Sequence, residues 1–90
     1  NNPTSKQTKS YAKIVKSTTR TLDNAYVKVN PYGTSPLTAL MIFKTDQAAK
    51  VTYTVVGKTD NTSITNTVKG YKTTHQVPIV GLYANYSNQV

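Results

Sequence analysis

The sequence predicts an all-β fold: a small antiparallel β-sandwich preceded by a short helix. Five or more strand-like runs are separated by turn signals at intervals of roughly 8–12 residues. Thr is the commonest residue, followed by Lys, Val, Asn and Tyr, and there is no glutamate. Thr, Val and Tyr favour strands, and a chain without glutamate is poorly suited to long solvated helices. A helical hydrophobic period occurs only near the N-terminus.

Asn1 to Gln7 is polar, contains Pro3 and reads as disordered. From Lys6 to Leu22, at about 100° per residue, Lys6, Lys9, Lys13, Lys16 and Arg20 fall in one sector, with Tyr11, Ile14, Val15, Thr18 and Leu22 opposite. The spacing predicts a helix from about Thr8 to Thr18, capped by Ser5 or Thr8. Its basic stripe could lie on an anionic membrane or wall polymer. More commonly such a helix packs its apolar stripe on the domain or a partner and leaves its lysines solvated. Residues 1–24 thus form a polar lead-in with a basic amphipathic helix, and residues 25–90 the sandwich.

Leu22-Asp23-Asn24 reads as a turn. Tyr26 to Asn30 alternates as a half-buried strand, with Val27 and Val29 on one side and Tyr26 and Lys28 on the other. Pro31, Tyr32, Gly33, Pro36 and Leu37 form a rigid corner, since two prolines fix φ and remove donors while Gly33 can take φ > 0. Thr38 to Lys44, the most apolar run, is the expected central strand. Thr45-Asp46-Gln47 is a turn, and Lys50 to Val56 alternates with Val51, Tyr53 and Val55 inward. Gly57 to Asn61 has hairpin-turn composition, and Thr62 to Lys69 is the return strand. Gly70 to Gln76 reads as a polar loop. Val77 to Val80 is a short strand whose Pro78 marks an edge or a strand start. Gly81, Leu82 and Tyr83 open a second aromatic corner that runs to Tyr86, and Ser87 to Val90 approach another strand. Tyr32, Leu37, Leu40, Leu82 and Tyr83 are the expected core of the two corners.

Ninety residues allow one domain and one modest core, about 60–65% of the unfolded surface being buried. There is no cysteine, hence neither disulfide nor thiolate metal site. No run reaches the roughly 20 apolar residues of a membrane span. A first residue other than Met reads as the start of a piece of a longer product. The formal charge of +8 is carried by lysine with a single arginine. No aromatic is interleaved with a basic run, so nucleic acid is not the expected partner; the charge reads first as a solubility device, with an anionic cell surface as a candidate neighbour.

A search for catalytic chemistry finds none. Asp23, Asp46 and Asp60 each sit in an expected turn, whereas general acid–base catalysis needs carboxylates that converge. His75 is the sole histidine and has no partner ligand. It reads as structural or solvated. No phosphate loop, dinucleotide fingerprint or nucleophile elbow is present, and neither cofactor nor metal is expected. The seven tyrosines read as corner residues that bury a ring and satisfy a hydroxyl, ahead of a ligand-stacking cluster. Asn61-Thr62-Ser63 and Asn85-Tyr86-Ser87 match the glycosylation sequon, a pattern frequent by chance.

Three stretches taken together carry a resemblance. They are Asn30-Pro31-Tyr32-Gly33-Thr34-Ser35-Pro36-Leu37-Thr38-Ala39-Leu40, Val51 to Lys58, and Val77-Pro78-Ile79-Val80-Gly81-Leu82-Tyr83 with Asn88 and Val90. From about Val27 to Val90 the chain resembles the N-terminal domain of bacterial aryl-sulfate sulfotransferases. The resemblance implies an immunoglobulin-like sandwich placed before a β-propeller. The propeller moves a sulfuryl group from a phenolic sulfate ester to a phenol acceptor through a sulfurylated histidine. It further implies export to the periplasm, the cell surface or the medium, and a homodimer. The catalytic histidines and arginine of such enzymes belong to the propeller, so none is carried onto this chain, His75 included. In the family the sandwich continues beyond the position of Val90. The expectation is therefore that strand exchange, edge pairing, or residues 6–22 cover an open side.

Overall fold

The computed structural model describes residues 3–90, with side chains from Lys6 onward. Its order is helix α1 (Pro3–Ser17), a 3-10 turn (Leu22–Asn24), and strands β1 (Tyr26–Val29), β2 (Ala39–Ala49), β3 (Thr52–Val55), β4 (Ile64–Thr67) and β5 (Lys72–Ile79). The strands form two antiparallel sheets, one of three strands in the order β1-β2-β5 and one of two, β3-β4. The predicted all-β class with one short helix holds.

β2 organises the molecule. Its run Ala39-Leu40-Met41-Ile42-Phe43 is continuously apolar because both faces of the central strand are covered. Ala39 and Phe43 point to the β3-β4 sheet and pack with Val55, Val77 and Ile79. Leu40 and Ile42 point the other way and pack with Tyr11 of α1, flanked by Ile14, Val15, Tyr26 and Tyr32. The result is three layers: helix, three-stranded sheet, two-stranded sheet. The Tyr11 hydroxyl donates to the Pro31 carbonyl, which ties the helix to the first corner.

Several expectations are corrected. The helix begins at Pro3, not Thr8, because proline's fixed φ suits a first helical position. Pro3 to Gln7 are therefore helical, and neither Ser5 nor Thr8 is a cap; Asn1 and Asn2 lie outside the described residues. The helix stops at Ser17, where the β-branched Thr18-Thr19 pair is poor helix material, so Arg20 and Leu22 are not on it. Arg20 instead gives its carbonyl to the Lys44 N–H at 2.8 Å. Thr45 to Gln47 do not turn. They lie within β2, where the pairing with β5 shifts register between Lys44 and Ala49. Lys72 to Gln76 are not a loop either. They are the first part of β5, because alternation of small and polar residues can serve a strand whose partner supplies the apolar side.

Candidate docking groove

The three-stranded sheet is broader than the two-stranded sheet that faces it. The β3-β4 pair sits toward β5, where the Val80 N–H donates to the Tyr53 hydroxyl at 3.2 Å. The β1 side of the floor is left open. Val27 and Val29, expected to be half-buried, are 56% and 59% exposed. They share the floor with Ala39 and Met41, their cross-strand partners. A groove of about 990 Å³ results. Leu37 and Pro36 form one lip, and Val56, Tyr83, Tyr86 and Val90 the other.

Each lip is a rigid corner. In the first, Asn30 (φ 51°) and Gly33 (φ 77°) take left-handed backbone. The Asn30 side-chain oxygen accepts from the Ser35 N–H at 3.1 Å, and the Thr38 hydroxyl donates to the Ser35 carbonyl at 2.7 Å. In the second, Asn88 clamps the backbone of Tyr83. Its side-chain oxygen accepts from the Tyr83 N–H and its amide donates to the Tyr83 carbonyl, both at 2.9 Å. The Tyr83 and Tyr86 rings meet edge to face at 5.5 Å, and the Lys58 ammonium lies 4.6 Å from both ring centres. A hydrogen bond with the Thr62 side chain, then the Lys58 N–H, hold the Tyr83 hydroxyl below its ordinary value, and the Lys58 charge adds to this.

The sequence-predicted residues divide. Leu40 is fully buried, and Pro31 is buried beneath Tyr11. Tyr32, Leu82 and Tyr83 are half-buried. Leu37 is corrected: at 44% exposed it is lip, not core. Pro36 is exposed beside it, and Gly81 (φ 85°) turns the chain out of β5 after the exposed Pro78. Lys6, Lys9, Lys13 and Lys16 are exposed along α1, and Arg20 is exposed beyond its end. The apolar stripe opposite them is spent on the sheet through Tyr11, Ile14 and Val15. α1 therefore covers the helix side of β2 and β5, whereas Leu22, beyond its end, lines the groove.

His75 is in β5, not in a loop, and is buried. Its ring stacks on Phe43 at 4.8 Å, and its Nε2 lies 3.1 Å from the Thr45 hydroxyl. Asp46 is in β2, away from Asp23 in the 3-10 turn and Asp60 in the β3-β4 connection. Among the described residues no group of His, Cys, Asp or Glu is arranged to hold a metal. The described residues that line the groove have no ionisable side chains except Tyr53, Tyr83 and Tyr86. Such a surface can bury apolar partner groups and offer a few hydroxyl and amide contacts, but it presents no acid–base pair.

Sequence reasoning missed Val27 and Val29 as open floor, Lys58 between two rings, and the Asn88 clamp. The alternation of β1 marks one face but does not say whether anything covers it.

A family model of the arylsulfotransferase Ig-like domain matches residues 26–90. The chain belongs to this family. No curated protein and no solved structure matches it. In this arylsulfotransferase Ig-like domain, the matched stretch begins with β1 and contains both lips of the groove, while α1 lies before it.

Proposed function

We propose that this chain is a non-catalytic domain of an exported aryl-sulfate sulfotransferase, and that the groove is the face on which the catalytic domain docks. The reaction, sulfuryl transfer from a phenolic sulfate ester to a phenol acceptor, is performed by a separate β-propeller of the same polypeptide. This chain braces that propeller and contributes to dimer contacts. The observation that carries the reading is the pairing of family membership with an apolar, acid-free groove. Exposed contiguous apolar surface of this kind marks an interaction site, and its rigid lips suit a preformed interface. The test is to produce the catalytic domain separately and measure its association with this chain. Binding is expected for the wild-type chain and is lost in Leu37→Lys. A catalytic domain that ignores the wild-type chain contradicts the reading.

A second reading rests on the lysine stripe of α1. Lys9, Lys13 and Lys16 are exposed together, and the helix's apolar face is already engaged, so any contact with an anionic wall polymer is electrostatic alone. Salt-sensitive binding to such a polymer, abolished when those three lysines are replaced, supports it; salt-insensitive or absent binding removes it.

A further inference from the structure

We propose that the free edge of β1 and the groove floor beside it take an extended polypeptide segment by strand addition. The segment carries apolar side chains at alternate positions with Asp or Glu between them. This rests on the docking reading above, and the segment belongs to the catalytic domain.

The register gives the edge its chemistry. Asn30 donates its N–H to the Thr38 carbonyl at 2.9 Å. In an antiparallel ladder, hydrogen-bonded and non-bonded pairs alternate. Counting back from Asn30, Lys28 pairs with Leu40 and Tyr26 with Ile42 as bonded pairs. Val27 and Val29 are then the non-bonded positions, so the N–H and C=O of each point outward from the sheet. Their side chains meanwhile face the groove. The edge ends at Pro31, the next outward position, which has no N–H.

The opposite edge is unlike it. On β5 the outward positions are Thr74, Gln76 and Pro78, since Pro78 faces the non-bonded side of Leu40. Pro78 removes one donor, and the Val80 N–H is taken by the Tyr53 hydroxyl. β5 is thus blunted where it adjoins the core, and β1 is not. An incoming strand gains backbone bonds at Val27 and Val29 and seats alternate side chains against their methyl groups, the general geometry of strand addition.

Charge selects the occupant. On the other face of the same edge stands Lys28, exposed, in a chain of net charge +8. The residues of the incoming strand that do not enter the groove lie beside it, so Asp or Glu fits and Lys does not. The same argument disfavours a second copy. The only register in which Val27 and Val29 of two β1 strands satisfy each other puts Lys28 directly opposite its counterpart.

The probe is a short soluble peptide alternating Val and Glu, titrated into the isotope-labelled chain. The controls are a Val/Lys alternation and a Val/Glu peptide of the same composition in blocks. The Val27 and Val29 amide resonances shift and their hydrogen exchange slows with the alternating acidic peptide only. Val27→Pro and Val29→Pro weaken binding about tenfold, since each removes an outward donor that β2 does not use. Lys28→Glu, a surface change that leaves the core intact, reverses the preference toward the Val/Lys peptide. Equal binding of all peptides, undiminished binding in both proline variants, no binding, or dimerisation through β1 without peptide each overturns strand addition. If the catalytic domain still binds the Val27→Pro chain at full strength, strand addition fails while groove docking stands. If the catalytic domain does not bind the wild-type chain, docking itself fails.

Discussion

The backbone N–H of Leu82 donates to the carbonyl of Leu37 at 3.1 Å, and this bond joins the two corners of the domain. Leu37 belongs to the Pro-Tyr-Gly corner after β1, and Leu82 to the Gly-Leu-Tyr corner after β5. Their motifs lie far apart in sequence. Because β1 and β5 both run antiparallel to β2, with Val29 and Ile79 each opposite Ala39, both corners fall at the same end of the sheet. The joined corners form that end of the groove and hold its lips at a fixed separation.

Tyr11 is the link between helix and corner. Burial first, then the neighbouring Tyr26 and Tyr32, hold its hydroxyl above the ordinary value of 10.0. A raised value means that the folded state keeps the proton longer than the unfolded state. The stabilisation is complete below pH 10.0 and is lost as pH rises through the folded-state value. Tyr11→Phe leaves the Pro31 carbonyl without its donor and costs about 1–2 kcal/mol at neutral pH. Its urea midpoint also falls less steeply than the wild type's above pH 10.0.

The glycines Gly57 and Gly33 respond oppositely to the usual intuition. Gly33 has the positive φ, yet a Cβ there meets nothing within 4 Å. Gly33→Ala costs about 1 kcal/mol of backbone strain. Gly57 has no such φ, but its Cβ would overlap the Thr62 hydroxyl oxygen and the Thr62 carbonyl carbon. Gly57→Ala must open the hairpin and loses the 2.9 Å bond from its N–H to the Ser63 hydroxyl, at a cost of about 3 kcal/mol. Urea midpoints of the two variants, at unchanged slope, rank them.

The proton on His75 is fixed by a hydroxyl. The Thr45 oxygen has one hydrogen, which goes to the Gln47 carbonyl at 2.7 Å. The 3.1 Å contact with His75 Nε2 is then donated by the imidazole. Nitrogen NMR of the ring should show Nε2 carrying a proton; a bare Nε2 contradicts the arrangement.

The core packs as two clusters on the two faces of one strand, β2, rather than as the single cluster expected for a chain of this size. Ile42→Ala empties the helix side at a cost of about 2–5 kcal/mol, and Phe43→Ala the inter-sheet side at about 3–5 kcal/mol. Helix-region hydrogen exchange should accelerate in the first variant before the β3-β4 hairpin does. In the second the hairpin loosens first.

The legible parts of the fold were those with strong local chemistry. The Pro31, Gly33 and Gly81 corners were readable because φ is restricted or freed by single residues. The apolar run of β2 was readable because both its faces are buried. The start of α1 was not, because its polar opening lacks hydrophobic period and only Pro3 marks it. The first part of β5 was hidden because Lys72 to Gln76 are polar, and their strand character comes from pairing with β2. The Thr45–Gln47 irregularity has turn composition and is nonetheless held in the sheet. The openness of Val27 and Val29 depends on the width of the opposing sheet, a tertiary fact with no counterpart in the β1 sequence. Lys58 finds its two rings through the hairpin, again across distant segments.

The most direct test of the account is hydrogen–deuterium exchange of this chain alone and in complex with the separately produced catalytic domain. The account predicts slower exchange in the complex at residues 27–29, at residues 36–38 and around Val56, with the α1 face unchanged. Equal exchange at the groove in both states, or protection confined to α1, would contradict it.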